Sequence, residues 1–457
     1  MKADLVVRNG WIVTPEETVR GGVAITGGKF VAIGPDDTLP DAHETFDATG
    51  KHVLPGLIDA HVHFRDPGLT HKEDFGTGST AAVCGGITTI VDMPNVIPPT
   101  ENAEQVRAKR AIAESKSLCD FAILGVIHQT NAADIVPMAE AGAIGYKMFY
   151  GETVGNLPYP DDGQCIEVFP RIREANIPLA VHCENRQMQH YWTTRIKAEG
   201  KSAPIHWEET RPAICEDAAV AHLIFLTETF GTRLHVVHVS SKQGAARIAD
   251  AKRRGTSVTA ETAPHYLLRD PSDMAVVGPL MKINPPVRGR AHWDALWDGL
   301  RNGTIDMIAT DHAPHTLEEK GCDAEGHMFK PAIWDCVSGF CGVETSVPLM
   351  LTQVNAGRLT LNQYVRAASE NPARVWQMYP KKGALRVGSD ADLTIVDMDK
   401  KSVIDPRKLH SKNVVTPWGG WKVQGVPVMT IVRGHVQMRD GEPVGGVIGQ
   451  MQTPVRN

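Results

Sequence analysis

GLIDAHVHF, residues 56–64, is an apolar run of strand length that ends in two histidines one residue apart. Side chains alternate along a strand, so His61 and His63 point to the same side, which makes a two-toothed clamp for one metal ion. Seven more short apolar runs follow: GITTIVDMP (86–94), DFAILGVIH (120–128), AIGYKMF (143–149), IPLAVHC (177–183), RLHVVHV (233–239), SVTAETA (257–263) and IDMIATDH (305–312). Buried parallel strands read as continuous apolar runs, and helix-like stretches such as NAEQVRAKRAIAES and KQGAARIADAKRRG separate them here. Eight such β/α units predict a closed (β/α)8 barrel rather than an open doubly wound sheet.

Outside these runs the texture changes. Residues 1–54 alternate in short strands broken by glycine turns (ADLVVRNGWIV, GGVAITGGKFVAIG, ETFDATGKHVL), and residues 376–457 do the same (ADLTIVDMD, VPVMTIVRGHVQMRDGEPV). Neither end is long enough for a stable sandwich of its own, which predicts one small discontinuous β-sandwich domain built from both termini around a barrel at 55–375. The 457 residues suffice for both.

A net charge of -6, from 47 basic and 53 acidic residues without a Lys/Arg block, gives no footprint for nucleic acid or a membrane surface. No apolar run reaches the ~18 residues of a membrane span. The start, MKADLVVRNGWIV, lacks the pattern of a signal peptide, so the expected compartment is the cytoplasm. Eight cysteines without a CxxC pair read as buried free thiols, and Cys183 as core packing. The expected partner is a small, water-soluble molecule.

Barrel active sites lie at the C-terminal ends of the strands. His61 and His63 end the first run, Lys147 lies in the fourth, His182 ends the fifth, His238 the sixth and Asp311 the eighth. One histidine at a strand end is usually a hydrogen-bonded structural residue. Several metal-capable groups on one rim point to a metal site, and His with Asp is the ligand set of Zn, Mn or Fe rather than Ca or Mg. Lys147 is the odd member, because an ammonium has no lone pair to offer. Either CO2 has carboxylated it, giving two oxygens that bridge two cations, or it pairs with an acid such as Asp311.

The motifs HVHFRDPGLTHKEDF, GGITTIVDMPN, GYKMF, VHCEN, VHVSS, ETAPHYL, MKINPPVR, IATDHAPHTLEEK and GSDADLTIVD, in this order, resemble the cyclic amidohydrolases: dihydroorotases, allantoinases and hydantoinases. The resemblance covers nearly the whole chain and implies an amidohydrolase-type barrel with two divalent metal ions, zinc first and manganese next. It implies that His61, His63 and Asp311 hold the more buried ion, that His182 and His238 hold the other, and that carboxylated Lys147 bridges both. His128 and His265 match no metal position and read as pocket or supporting residues. Two cations acidify a water and polarise the ring carbonyl. Asp311 then takes the proton of the attacking water and passes it to the leaving ring nitrogen, or serves as a ligand only. Relatives of this kind form homodimers or homotetramers.

Arg65, two residues beyond the clamp, faces the same side if the strand persists, and a guanidinium is the natural fork for a carboxylate. Its structural alternative is an ion pair with Asp66 or Glu73. Asn95 in DMPN and Asn284 in KINPP add hydrogen bonds to the substrate. Dihydroorotases resemble this sequence at all three positions, so the reading is a dihydroorotase that interconverts dihydroorotate and N-carbamoyl-aspartate. Many bacterial dihydroorotases of this length, however, have no bridging lysine and rely on an aspartate, and GFCGVETSVPLML also resembles L-selective hydantoinases. Hydantoinase or dihydropyrimidinase, and allantoinase, therefore stay open. The polar loop DHAPHTLEEKGCDAEGHMF is expected as a lid, with His315 either binding a substrate carbonyl or capping the loop. Some relatives of dihydropyrimidinases keep the barrel as inactive scaffolds, but they lose ligands that this chain retains.

Overall fold

The computed structural model describes residues 2–151 and 157–455. The eight apolar runs form one parallel sheet in chain order: Leu57–Val62, Ile87–Asp92, Asp120–Val126, Gly145–Tyr150, Leu179–Cys183, Leu234–Val236, Val258–Thr262 and Met307–Ile308. First and last strands meet where Val62 bridges His312 in parallel and the His63 amide donates to the His312 carbonyl at 2.7 Å. The sheet thus comes round to a nearly closed barrel.

Alternation sorts the strand residues into two layers. Ala122, Leu124, Ala180, Val237, Met307 and Ala309 pack with Trp376 and Met378 as one cluster. Their neighbours Phe121, Ile123, Met148, Leu179, Val181 and Val236 pack into a larger cluster with helical residues such as Leu223, Ile248 and Leu296. Trp376 comes so close to the fourth strand that a Cβ on Gly145 would stand 2.5 Å from its ring. Only glycine fits there, at the end of the barrel opposite the rim polar residues.

Both termini build the second sheet. Ala3–Val13 pairs with Thr18–Thr26 on one side and with Ala42–Asp47 and His52–Pro55 on the other. Leu393–Val403 then pairs antiparallel with His52–Pro55, joining the C-terminal strands to the N-terminal ones in a nine-stranded mixed sheet. Leu5, Val7, Val23, Phe30, Val53, Leu393 and Ile431 form its core. Among the described residues no helix is long and apolar enough to cross a membrane. All eight cysteines are free and buried.

The loop after the eighth strand differs from the lid expected of it. Thr316 caps the helix Leu317–Lys320, and buried Lys320 donates to the carbonyls of Lys282 (3.1 Å) and Gly339 (2.8 Å). Cys322 packs with Leu280, Ile283 and Phe340. Polarity suggested a free cover, but the lysine's donors are used inward.

Barrel and terminal sheet are fastened by a buried charge cluster. The Lys382 ammonium, fully buried, contacts Asp120 at the start of the third barrel strand, Asp390 at 3.0 Å and Asp392 at 2.7 Å. Burial opposes its charge, and the carboxylates of Asp392, Asp120 and Asp390 outweigh burial, so its pKa lies above the ordinary lysine value. Asp120 also receives Arg433 and the Gln450 amide, at 2.8 Å. Removing one partner of a buried ion pair leaves the others unpaired and costs roughly 3–5 kcal/mol. Lys382→Met should therefore lower the denaturant midpoint by a corresponding amount, while a loss under about 1 kcal/mol would show that the cluster does not hold the two parts together.

Candidate active site

One cavity at the C-terminal rim is lined by His61, His63, Arg65, Asn95, Lys147, His182, His238, Asn284 and Asp311, together with Phe149, Ile283, Ala313, Ser338 and Gly339. Nine of the ten residues singled out from sequence thus reach one space. His315 does not. Arg65, His238 and Asp311 have φ of 61°, 41° and 50°. Such left-handed backbone costs about 1–3 kcal/mol at a residue with a side chain. Its concentration here turns three functional groups inward at points where regular strand has ended. Arg65 is a case in point: the strand stops at Val62, and the turn, rather than strand alternation, brings the guanidinium to the cavity.

Three of the four rim histidines, His61, His63 and His182, are fixed by a partner on one ring nitrogen. His61 Nδ1 meets Glu261 Oε1 at 2.5 Å, and the other oxygen of Glu261 meets His235 Nε2 at 3.1 Å. His63 Nδ1 donates to Asn95 Oδ1 at 2.6 Å. Placing the protons on Nδ1 leaves both Nε2 lone pairs facing one atom, Asp311 Oδ1, at 3.2 Å each. Burial, with Lys147 beside His61 and Arg65 beside His63, pushes both imidazoles well below the ordinary histidine pKa, so neither carries a second proton. Two lone pairs and a carboxylate oxygen facing one another repel, and a cation between them removes the repulsion. The set fits a metal ion on this ground.

A second pair of donors lies alongside. His182 Nε2 is held by Glu184 Oε2 at 2.9 Å, and Glu184 is held in turn by Arg211 at 2.6 Å. This aims His182 Nδ1 at His238 Nε2, 3.0 Å away. Lys147 lies between the two groups, with Nζ 3.5 Å from His61 Nε2. It makes no ion pair within 4 Å among the described residues, so the alternative of pairing with Asp311 is not formed. Burial lowers its pKa to about 8 and raises that of Asp311 to about 6.

Arg65 is equally buried. Nε donates to the Pro314 carbonyl at 3.3 Å and one terminal nitrogen meets His315 Nε2 at 3.2 Å. The ion pairs considered for it are absent: Asp66 binds Lys116 at 2.7 Å, and Glu73 accepts from Thr77 and the Lys412 amide. Among the described residues no carboxylate lies within 4 Å of the Arg65 guanidinium. His315 is spent beneath the cavity, between Arg65, Lys72 at 3.2 Å and Glu319 at 3.5 Å. His128 pairs with Glu101 at 2.9 Å, and His265 is buried against Tyr266 and Phe340; neither lines the cavity.

The sequence reading passed over the acids that set this geometry. Asp59 accepts from the Thr310 amide (3.0 Å) and hydroxyl (2.5 Å), fixing the turn before Asp311 against the first strand. Glu261 and Glu184 act as described. Their signal was there to read: a lone carboxylate inside an apolar run, or two residues beyond a rim histidine, has to find a buried donor.

The model of the "Amidohydrolase family" matches residues 52–437. The chain is 34% identical to the allantoinase of Solibacter usitatus over 100% of this chain and 98% of that one. It is 36% identical to the dihydroorotase of Bacillus cytotoxicus over 94% and 97%. The structure of the L-hydantoinase (dihydropyrimidinase) from Arthrobacter aurescens superposes with a TM-score of 0.94 at 36% identity, over 99% of this chain and 100% of that one.

Because Glu261 fixes the tautomer of His61, Glu261→Gln should weaken metal retention about 10- to 100-fold. Chelator titration followed by elemental analysis measures it, and unchanged retention in a folded variant would remove Glu261 from that role.

Proposed function

The chain belongs to the amidohydrolase family and is a hydrolase of cyclic amides, and from that premise we propose that its ring carries a carboxylate and that the enzyme is a dihydroorotase. One observation carries the reading: Arg65 is a buried cation on the cavity wall with no carboxylate partner of its own. Buried charges are paired, and the anion is supplied by the substrate. Asn95 and Asn284 support this. Asn95 gives its oxygen to His63 and Asn284 shares its oxygen with the Ser338 hydroxyl at 3.2 Å, which leaves the amide NH2 groups as donors for an anionic ring. A neutral hydantoin, dihydropyrimidine or allantoin ring leaves Arg65 unanswered.

On this reading His61, His63 and Asp311 hold one divalent ion, zinc first, and His182 and His238 a second. Bound cations supply an acidified water and a polarised scissile carbonyl. Lys147, carboxylated by CO2, would add carbamate oxygens to this ligand set. Its pKa of about 8 favours this, since the neutral amine is the form that adds CO2. Asp311 receives the proton of the attacking water and delivers it to the ring nitrogen as the C–N bond breaks. Phe149 and Ile283 line the wall as apolar surface. Ile166, Ile214 and Phe225 stand more than half exposed on outer barrel helices, apolar area that a second copy would cover in a cytoplasmic homodimer or homotetramer.

Metal-loaded protein assayed on dihydroorotate, hydantoin, dihydrouracil and allantoin should prefer dihydroorotate. Arg65→Ala should cut kcat/KM for it at least about 100-fold, from lost charge-assisted hydrogen bonds of roughly 1.5–3 kcal/mol each. Its metal content should stay unchanged. Preference for an uncharged ring, or an equal loss on every ring, would reject the carboxylate clamp. Lys147→Ala should lose metal and activity together and regain part of both with added short carboxylic acids; two ions retained without rescue would contradict the carbamate bridge.

A further inference from the structure

Away from the barrel rim, three segments bring a thiol, an imidazole and a carboxylate together. Cys84 is the last residue of the helix Phe75–Cys84, Glu344 precedes the helix Ser346–Asn355, and His410 lies between the strands Leu393–Val403 and Lys422–Val432. Their ligand atoms lie within 4.8 Å of one another. Cys84 and Glu344 line a cavity at the seam of barrel and terminal sheet, whose wall also carries Glu442.

Glu344 orients the ring of His410 with both oxygens. Oε1 accepts from His410 Nδ1 at 2.8 Å and Oε2 from the His410 amide at 2.7 Å. The proton is thereby placed on Nδ1, and the Nε2 lone pair faces Cys84 Sγ at 3.9 Å. It is the device by which Glu261 aims His61, repeated around a sulfur ligand. With metal–sulfur and metal–nitrogen bonds of about 2.3 and 2.0–2.1 Å, this separation corresponds to an S–metal–N angle of roughly 125–130°. A closure of a few tenths of an ångström makes it tetrahedral.

Cysteine, histidine and carboxylate also suggest a nucleophile with its base, and the surroundings decide against that. Cys84 ends its helix, where the helix dipole opposes an anion. Burial, then Glu344 and Glu442, pushes the thiol far above its ordinary pKa. A thiolate is disfavoured there, whereas the same carboxylates attract a cation.

We propose that Cys84 and His410, oriented by Glu344, bind one thiophilic divalent cation, zinc or cadmium, at a site separate from the barrel rim. Binding forms a metal–sulfur bond and releases the thiol proton to water. Water fills the remaining positions. The ion ties the helix Phe75–Cys84 to the loop that joins the strands Leu393–Val403 and Lys422–Val432.

The test uses the full chain with its rim metals already loaded, titrated with cadmium ion alone and followed by the ultraviolet thiolate-to-cadmium charge-transfer band. The rim donors are nitrogen and oxygen and contribute no such band. One equivalent of band is expected in the wild type, and also in Lys147→Ala. It should vanish in Cys84→Ser and require at least about 10-fold more cadmium in His410→Gln. No band in the wild type, or a band unchanged in either thiol-site variant, overturns the site. His410 is half-buried at the surface, so that variant answers the question even if Cys84→Ser does not fold.

Discussion

Glu261 holds a histidine with each of its carboxylate oxygens, and the chemistry of the rim rests on that bond to His61. An imidazole buried in a barrel can present a lone pair to a cation only if its other nitrogen keeps the proton, and an acceptor behind the ring decides this. Glu261 does so for His61, Asn95 for His63 and Glu184 for His182. Without these acceptors the rings could turn or change tautomer, and the convergence on Asp311 would be lost. The barrel supplies the distances, and the supporting carboxylates and amide give the donor atoms their direction.

Much of this was legible in the residues. The eight strands lie where apolar runs of seven to nine residues stand, because a buried strand has no wet face to interrupt it. His61, His63, His182, His238, Lys147 and Asp311 were readable because strand ends on one rim must face one space. The course of the chain beyond a strand end was not. Arg65 reaches the cavity through a left-handed turn that strand alternation does not foresee. His315 looked like a substrate group because it is polar and near the rim, yet its direction is set by Lys72, which lies far from it in sequence. The supposed lid follows the same rule: the loop was read as a cover from its polarity, and carbonyls of two other segments draw its Lys320 inside.

Charge is buried in two contrasting ways in this molecule. Around Lys382 every charge has a partner, and the cluster is closed on itself as a fastening between barrel and terminal sheet. At Arg65 a charge is enclosed with only neutral acceptors, a carbonyl oxygen and an imidazole nitrogen. The first arrangement is complete without anything from outside. The second stores an affinity for an anion, and it sits a few residues from the histidine clamp.

The pairing of Leu54 with Thr394 joins strands whose sequence separation is nearly the length of the barrel between them. On the ribosome, His52–Pro55 emerges early and has to wait for its neighbour. At about 5–20 residues per second, the intervening ~340 residues take roughly 20–70 s to synthesise. During that time the N-terminal strands expose an unpaired edge of the kind that associates with other chains. Nascent copies on one message are crowded together in that interval. Expression yield at high temperature, where synthesis and collision both accelerate, is thus tied to the topology of the small sheet as much as to the stability of the finished protein.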